Sequence, residues 1–437
     1  MSTIALLHKN SCLCTTNQLE LFDLPPTNFA LEKSEYVEFF PVSAPTGSGV
    51  IEYNVPGLGG GFFDLQSSFL HIQCKIVRKN GDLTTSTSPT GAVSYDTVIP
   101  VQAFASSLFH HVHIYLNSTL VSNFENYAYR SYLDIITNAN SVTQTHTLSA
   151  MLYEPDPVGE SENFAAPPEA KGVFARYKRT KGSALVDLYS PIFSDICQQE
   201  KFLLNGVDIR VVLRQNTDEF RLLAPASETE KHTVEFSRIV LYLRRVQVTP
   251  SVIVGIERRL QTTPASYLLR GLDIKYRTIA PNQSQVIFDD LYSERVPSKL
   301  TVLMVKSEAY QGSRKLNPFK LENFKLKRAV LDVGGHQYTD DFDFQRDIYA
   351  KGYMQLLQKL KRKDIPLAPA AYEKETFMLR YHLTPDAEVQ SLSPVVQANV
   401  RLTLTFGANL TEAVTVLFVS ETPRVLEINK DRRVKFV

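Results

Sequence analysis

The sequence predicts an all-β protein made of two antiparallel β-sandwiches in one chain. Apolar and polar residues alternate with a period of two in stretches such as "LHIQCKIV" (70–77) and "NVRLTLTF" (399–406). Such alternation is typical of strands that bury one face. Helical periodicity is confined to a few short stretches, and one strand-turn-strand-helix pattern occurs twice. Many strands with turn-rich connections favour sandwiches over a parallel α/β sheet.

The individual elements follow from the same patterns. In "LHIQCKIV", Leu70, Ile72 and Cys74 share one face, and His71 and Gln73 share the other, because successive side chains of a strand point to opposite faces. Further strands are predicted at 207–213, 232–248 and 300–305, and helices at 125–138, 252–260 and 344–360.

One pattern occurs in both halves of the chain. "VHIYLNSTLV" (112–121) combines two strands with an Asn-Ser turn and precedes the helix at 125–138. "RAVLDVGGHQY" (328–338) combines two strands with a Gly-Gly turn and precedes the helix at 344–360. Both turns have the chemistry of a β-hairpin. The repeat predicts an extended N-terminal arm (1–35), a first sandwich domain (36–249) and a second sandwich domain (250–437).

The composition is that of a globular protein with a large core. Of 437 residues, 43% are hydrophobic and 21% are charged, and the net charge of +1 creates no overall field that demands a nucleic-acid partner. No apolar run reaches the roughly 18 residues of a membrane span, and the apolar stretch at the start is too short for a signal-peptide core. Apart from Cys12 and Cys14, the cysteines are scattered, which predicts a reducing compartment.

The stretch "SSLFHHVHIYLNSTLV" (106–121) is the most obvious candidate for a metal-binding or catalytic site, because it contains His110, His111 and His113. On a regular strand, His111 and His113 share a face with Phe109, and His110 lies on the opposite face. At most two of them could therefore bind one metal ion, whereas a zinc site needs three or four ligands. We expect ordinary polar-face histidines and no metal site.

Other candidate sites lack the spacing that their chemistry requires. "HKNSCLC" (8–14) brings no second pair of zinc ligands. "TDDFDF" (339–344), close to His336, lacks the register of a calcium loop and is expected to cap the helix at 344. "PGLGGGFFDL" (56–65) precedes a strand, whereas a phosphate-binding loop precedes a helix. The sequence predicts no catalytic residue, no cofactor-binding residue and no metal ligand, so the protein is not expected to be an enzyme.

Several stretches resemble the major capsid proteins of the Polinton (Maverick) elements and their adintovirus relatives, in the same order and over most of the chain. The histidine cluster departs from this family pattern, which has other polar residues there. The stretches that carry the resemblance are "LELFDLPPT" (19–27), "EYVEFFPVS" (35–43), "SSLFHHVHIYLNSTLV" (106–121), "NYAYRSYLDII" (126–136), "SPIFSDICQQEKFLLNGVDIRVVLRQ" (190–215), "LRRVQVTPSV" (243–252) and "NPFKLENFKLKRAVLDVGG" (317–335).

The resemblance implies a double jelly roll, that is, two eight-stranded antiparallel sandwiches with a few short helices in the connections. It further implies a homotrimeric, pseudo-hexagonal (hexon-like) capsomer that contacts neighbouring capsomers in an icosahedral shell around double-stranded DNA. A single jelly-roll penton protein would occupy the vertices. The location implied is the virion, assembled inside a host cell, with no membrane span.

Particular segments are candidates for these contacts. The loops at 153–172 and near 310–318 are expected to face outward or to join capsomers. The arm and the C-terminal strand are expected to lace capsomers by strand addition. The basic runs "KLKRKD" (359–364) and "NKDRRVKF" (429–436) are expected to be solvated, or else to contact an acidic neighbour or packaged DNA non-specifically.

Two other functions remain open at this point. The first is a non-viral β-sandwich that binds or hydrolyses carbohydrate, which commonly uses aromatic platforms and paired carboxylates; the chain contains no Trp, which argues against this function. The second is a captured capsid gene with a cellular role. The sequence does not separate a captured gene from a working viral one.

Overall fold

We describe a computed structural model of the chain. The structure describes residues 17–19, 21, 22, 24, 27–43, 49–57, 61–87, 93–165, 168–360, 364–384, 392 and 394–437. "HKNSCLC" lies outside these residues, as do most of the arm and part of the glycine-rich stretch at 56–65.

The described residues of the first half form twelve strands, most of them in two sheets. The strands are β1 (Leu31–Phe39), β2 (Val50–Val55), β3 (Phe62–Arg78), β4 (Thr85–Thr87), β5 (Val93–Tyr95), β6 (Ile99–Pro100), β7 (Phe109–Leu116), β8 (Thr119–Phe124), β9 (Val186–Pro191), β10 (Ile209–Gln215), β11 (Leu222–Leu223) and β12 (His232–Val248).

The second half forms the remaining described strands. They are β13 (Ala265–Leu269), β14 (Leu272–Ile279), β15 (Gln285–Tyr292), β16 (Lys299–Lys306), β17 (Leu326–Val333), β18 (His336–Asp341), β19 (Met378–His382), β20 (Val400–Phe406), β21 (Val414–Glu421), β22 (Arg424–Ile428) and β23 (Val434–Phe436).

Helices occur in the connections between strands. The α-helices are α1 (Phe104–Ser107), α2 (Tyr127–Asn138), α3 (Lys171–Thr180), α4 (Asp218–Arg221), α5 (Pro250–Leu260), α6 (Ser307–Gln311), α7 (Ala350–Lys359) and α8 (Pro369–Lys374). Short 3-10 or π turns occupy Asn17–Leu19, Thr143–Thr147, Leu148–Met151, Lys181–Ser183 and Asp195–Cys197. No helix in the described ranges is long and apolar enough to cross a membrane.

Four four-stranded antiparallel sheets make two sandwiches. Sheet A has the order β1-β12-β3-β9 and sheet B the order β2-β10-β7-β8; sheet C has the order β14-β21-β16-β19 and sheet D the order β15-β20-β17-β18. When the eight sandwich strands of each half are counted along the chain, both halves give the same pair of orders, 1-8-3-6 and 2-7-4-5. Eight strands in this double Greek-key order form a jelly roll. The predicted double jelly roll is confirmed.

The repeat seen in the sequence marks equivalent elements. The hairpin β7–β8 lies at one edge of sheet B, and β17–β18 lies at the same edge of sheet D. Asn117 and Ser118 have φ values of 44° and 69°, and Gly334 and Gly335 have 57° and 92°. Two consecutive positive φ values are the requirement of the tight hairpin turn that suits the strand twist. The helices α2 and α7 follow these hairpins.

The core lies between the two sheets of each sandwich and follows the predicted alternation. Val400, Leu402 and Leu404 of β20 are fully buried, whereas Arg401 between them is exposed. Burial of one such aliphatic side chain contributes about 1.5–3 kcal/mol before entropy costs. These strands therefore supply the main driving force for folding.

The helix boundaries differ in part from the predictions. The helices predicted at 125–138 and 252–260 are present as α2 and α5, but α7 begins only at Ala350. A turn precedes it, because Asp343 and Ile348 exchange both backbone hydrogen bonds at 2.9 Å. The expectation that residues 339–343 cap a helix at 344 is therefore wrong. The sequence does not predict helix α3, because its first residues fall in the loop-like stretch 153–172.

The N-terminal segment enters sheet A earlier than expected. Leu31 pairs with Val248, and Glu35 pairs with Arg245, so residues 31–35 belong to β1 rather than to a free arm. The exact division into arm, first domain and second domain otherwise stays a prediction. The C-terminal strand does not extend away from the chain: β23 pairs with β22, and the N–H of Val437 donates to the carbonyl of Val425 at 3.0 Å.

Candidate assembly surfaces and the interface between the halves

The histidine cluster lies at a β-bulge in sheet B. Arg214 of β10 pairs with His111, whereas the next residue, Gln215, pairs with Phe109, so His110 is an extra residue. Phe109 consequently turns into the core, and His110 lies beside His111 with ring centroids 4.2 Å apart. The prediction that His110 lies opposite His111, and that Phe109 shares the face of His111, is wrong because the bulge interrupts the alternation.

The three imidazoles form one weakly basic group. The rings of His111 and His113 are 5.8 Å apart. Burial lowers the pKa of His111 to about 4, and the neighbouring His110 also lowers it; burial lowers the pKa of His110 and His113 as well. Glu125 opposes this effect and Arg214 adds to it. The cluster is therefore uncharged at neutral pH and gains charge in acid.

No group of His, Cys, Asp or Glu side chains with metal-site geometry occurs in the part of the chain that the structure describes. Near His336, the side chains do not converge on one point. The His336 ring packs on Tyr338 at 4.7 Å, Asp341 faces Arg328 at 3.5 Å, and Asp343 accepts from the N–H of Gln345 at 3.2 Å. Each residue has a local partner and a structural role.

The described part of the glycine-rich stretch also has a structural role. The N–H of Gly57 donates to Asp208 Oδ1 at 2.6 Å. A Cβ on Gly57 would lie 2.6 Å from backbone atoms of Val207, which explains the need for glycine.

The two basic runs differ in their surroundings, and residues 361–363 of the first run lie outside the described residues. Lys359 is tethered within the second half, because its Nζ donates to the carbonyl of Arg380 at 2.7 Å and lies 5.2 Å from the centre of the Tyr381 ring. The expectation that the second run is solvated is wrong for Arg432. Its side chain donates to the carbonyl of Asn205 at 2.8 Å and pairs with Glu257. The segment that contains Arg432 thus fastens the C-terminal hairpin to the first half.

An aromatic cluster joins the two halves. Tyr129 and Tyr132 of α2 contact Phe319 at 5.6 and 4.5 Å between ring centroids. Tyr129 also contacts Tyr310 of α6 at 5.8 Å, and the Tyr310 hydroxyl donates to Asn126 Oδ1 at 3.0 Å. Each aromatic pair is worth about 0.5–1.5 kcal/mol beyond the area it buries. The helix α2 is therefore fixed against the second half.

Ionic contacts continue the same interface. In the first half, Arg130 pairs with Asp134 on α2 and lies 3.6 Å from Asp195. Asp195 Oδ2 accepts from the backbone N–H of Leu272, in the second half, at 3.0 Å. Burial raises the pKa of Asp195, and the hydrogen bond from Leu272 compensates part of the cost of burying this carboxylate.

On the second half's side of the interface, Glu421 is the carboxylate around which the cations gather. It accepts from Arg270 and Lys299, each at 3.0 Å, and Arg380 lies 3.9 Å away. Burial by itself would raise its pKa, but these three cations lower it to about 2. Glu421 is therefore ionised throughout the neutral and mildly acidic range.

The two central strands of sheet C, β16 and β21, are buried on both faces, whereas the edge strand β14 keeps exposed residues such as Tyr276 (48%). Phe418 of β21 packs on Phe288 of sheet D at 5.2 Å, so its neighbours Leu417 and Val419 point away from the sandwich core. Both are nevertheless at most 3% exposed. Val419 lines a small space together with Leu133 of α2, which shows that the first half covers this outer face. The continuous apolar runs "LTVLMV" (300–305) and "VTVLFV" (414–419) were the sequence signal for this burial.

Sheet A is the equivalent sheet of the first half, and its outer face carries partly exposed aromatic side chains. Leu241 and Leu70 point into the core, so their neighbours Tyr242 and Phe69 point outward and are half-buried. The Phe69 ring lies 4.9 Å from Tyr242, 4.6 Å from Tyr189 and 5.6 Å from Tyr36, which is 53% exposed. We call these four residues the aromatic face. No described helix covers it as α2 covers sheet C.

No protein-family model matches the chain. An uncharacterized protein of Caenorhabditis elegans is 21% identical over 408 residues, which cover 92% of this chain and 93% of that protein.

Solved structures share the architecture. A chain of the Sputnik virophage structure solved by cryo-EM is 13% identical with a TM-score of 0.63, covering 100% of this chain and 94% of that chain. The mavirus major capsid protein is 11% identical with a TM-score of 0.56, covering 100% and 96%. The faustovirus major capsid protein is 10% identical with a TM-score of 0.58, covering 93% and 92%.

The chain is a double jelly roll. At these identities the similarity establishes the fold, and it extends along nearly the whole length of both partners, so the two sandwiches and their order are shared. Fold similarity by itself does not assign a function.

Proposed function

We propose that the chain is the major capsid subunit of a double-stranded DNA virus or virus-like transposon and that it forms trimeric, pseudo-hexagonal capsomers. The observation that carries this proposal is the difference between equivalent faces of the two jelly rolls. The outer face of the central strands of sheet C is covered by the first half of the same chain, whereas the central strands of sheet A keep partly exposed Phe69 and Tyr242 on their outer face, beside exposed Tyr36.

A closed ring resolves this difference. If first and second halves alternate around a ring, each first half has a second half of another copy beside sheet A. Three copies supply six jelly rolls. When the third copy closes the ring, every heterologous contact has a partner, so the assembly stops at a trimer. The aromatic face would then be buried by a second copy in the way that sheet C is buried within one copy.

The covering element of the neighbouring copy is expected to be α7, because it occupies the position in the second half that α2 occupies in the first. Met354 on α7 and Ile348 just before it are 49% and 58% exposed. Exposed large apolar side chains at α7 and an uncovered aromatic face on sheet A are both typical of surfaces that contact other proteins. The exposed residues at α7 and those of the aromatic face are both apolar, so the two surfaces suit one another.

The segment around β1 is a second candidate contact. Exposed apolar residues occur before, within and after this edge strand, whose outer edge has no partner strand among the described residues. Such an edge is a template for strand addition. We propose that neighbouring capsomers contact it. The exposed residues are Leu19, Leu21, Phe22, Leu24, Phe29, Leu31, Tyr36, Phe40 and Val42.

The finer parts of the proposal rest on the sequence resemblance and on the shared fold. They are membership of the Polinton and adintovirus group, an arm (1–35) followed by jelly-roll domains at 36–249 and 250–437, a structural role without catalysis, and assembly inside a host cell into the virion. A single jelly-roll penton protein and non-specific contact with packaged DNA complete the set of partners.

The test is the mass of the full-length protein in solution combined with electron microscopy. We expect trimers with a hexagonal outline and, at higher concentration, arrays or shells. A protein that stays monomeric under every condition of salt, pH and concentration would contradict the proposal.

A second candidate function has one observation in its favour. The nearly full-length similarity to a nematode protein suits a captured capsid gene with a cellular role. Both functions predict the same fold, but a captured gene need not keep shell assembly. Trimers without any higher assembly, combined with expression of the gene in host cells that contain no particles, would favour the captured gene.

A further inference from the structure

The ionic interface between the halves surrounds a small space. Four cationic side chains and two carboxylates line it, contributed by both halves of the chain. The lining cations are Arg130, Arg270, Lys299 and Arg380, and the lining carboxylates are Asp134 and Glu421.

The carboxylates around this space are fewer than the cations, even when the next nearest carboxylate is counted. Asp195 adds one carboxylate 3.6 Å from Arg130, which leaves four cations against three anions among the described residues. Arg380 is the least well paired of the cations, since its closest carboxylate contact, to Glu421, is 3.9 Å. The site therefore retains one uncompensated positive charge.

Several donors at this site have no acceptor. The Nε atoms of Arg130 and Arg380 are buried and have no hydrogen-bond partner among the described residues. The Arg130 side chain is 0% exposed, Lys299 is 9% and Arg380 is 12%, and Arg270, at 41%, is the most exposed of the four. A buried, unpaired charge costs several kcal/mol in general, so an additional acceptor that carries negative charge would stabilise this site.

Burial also lowers the pKa of Lys299 and of Arg380. Glu421 counteracts this effect for both groups, but each is also destabilised by the other cations around it. This is the behaviour of a site with too much positive charge.

The size of the space selects the ligand. About 10 Å³ is open to a water-sized particle, which excludes a polyatomic anion. A chloride ion is somewhat larger than a water molecule, so the solvent-reaching Arg270 side chain has to shift outward to admit it. We propose that this space binds a single monoatomic anion, chloride, between Arg130 of the first half and Arg380 of the second. The anion would supply the missing negative charge and would couple the two jelly rolls of one chain.

A neutral water molecule is the competing occupant. Water can accept a hydrogen bond from an arginine Nε, but it leaves the excess charge in place. The two occupants differ in one measurable respect: only chloride makes the stability of the full-length protein depend on the identity of the anion at constant ionic strength.

The experiment measures the thermal midpoint of the full-length protein while chloride replaces gluconate, an anion too large for the space, at constant ionic strength and protein concentration. We expect the midpoint to rise by about 2–4 °C over a roughly hundredfold rise in chloride. Crystals grown in bromide are expected to show one anomalous peak beside Arg380.

Two variants and a matched control separate this site from general salt effects. Arg380→Met and Lys299→Met each remove the excess charge, so the chloride-specific rise should disappear in both. Arg401→Met removes an exposed arginine that pairs with Asp289 at 2.9 Å, and it should keep the full rise. An equal midpoint in chloride and gluconate for the unmodified protein, or an unchanged chloride response in folded Arg380→Met, would overturn the proposal in favour of water.

Discussion

The ring of Phe69 on β3 stacks on the ring of Tyr242 on β12, with centroids 4.9 Å apart and planes 7° from parallel. The two rings lie on the central strands of sheet A and face outward, while the corresponding central strands of sheet C are covered on their outer face by the first half. The Phe69–Tyr242 pair is thus the centre of the surface that we assign to the contact between copies, and it leads to the first prediction.

Charges placed on the aromatic face should abolish the trimer and leave the subunit folded. Phe69→Glu combined with Tyr242→Glu places two like charges in the proposed contact, where neither has a partner. We expect a monomer with an unchanged far-UV circular dichroism spectrum, measured together with the mass in solution. Ile287→Glu, at an exposed position of sheet D, is the control and should still form trimers. Trimers of the double variant would locate the contact elsewhere.

The inner residues of the sandwiches should tolerate no charge. Ile209 and Leu404 are at most 2% exposed, so Ile209→Asp or Leu404→Asp buries a carboxylate without a partner and should prevent folding. Leu404→Ala should remain folded at a cost of about 2–5 kcal/mol. Denaturant titration of the alanine variant and solubility of the aspartate variants measure this. Thr405→Asp, on the outer face beside Leu404, is the control.

Asn117 links the first hairpin to the C-terminal segment. Its backbone has a φ of 44°, its side-chain oxygen accepts from the N–H of Asp208 at 2.7 Å, and its Nδ2 donates to the carbonyl of Arg432 at 2.7 Å. Asn117→Ala should therefore destabilise the protein by about 1–3 kcal/mol. Asn123→Ala, at an exposed position of β8, should change the free energy of unfolding by less than about 0.5 kcal/mol.

Acid should weaken the fold through the histidine cluster. The pKa of His111 is about 4 in the folded chain against an ordinary value of 6.5, so the unfolded chain binds more protons between these values. Stability from this group is therefore complete above pH 6.5 and is lost as the pH falls toward 4. His111→Asn should lose less stability between neutral and acidic pH than the unmodified protein does. The exposed His146→Asn is the control, and an identical pH dependence in both variants would contradict this interpretation.

Removal of Glu421 should separate the behaviour of buried and exposed ion pairs. Its pKa, lowered to about 2 from 4.5, means that its contribution is present above pH 4.5 and lost as the pH falls toward 2. Glu421→Ala leaves buried cations unpaired and should cost about 3–5 kcal/mol at neutral pH. Glu412→Ala breaks the exposed pair with Lys306 and should cost about 1 kcal/mol or less. Urea unfolding of both variants provides the comparison.

Most of the fold can be predicted from the alternation of apolar and polar side chains along the strands. Leu402 and Leu404 could be placed in a core because a half-buried strand repeats its environment every second residue. The two hairpins could be found because Asn117-Ser118 and Gly334-Gly335 occupy turns that need positive φ. Those local requirements act over a few residues, so a single sequence is enough to detect them.

The candidate surfaces were less accessible from the sequence. The bulge at His110 depends on a register shift against β10, a strand about a hundred residues away, so alternation along β7 alone gave the wrong face. Helix α7 was extended to 344 because its apolar pattern continues into the preceding turn, where the Asp343–Ile348 backbone hydrogen bonds prevail.

The sequence by itself thus determined that this is an all-β chain with two similar halves, because periodicity and turn chemistry are local properties. The tertiary structure alone decided which faces those halves leave open. Burial of sheet C, exposure of the aromatic face around Phe69, and the meeting of Arg130 with Arg380 and Glu421 all depend on how one jelly roll packs on the other. Such contacts join residues far apart in the chain, and no local pattern encodes their partners.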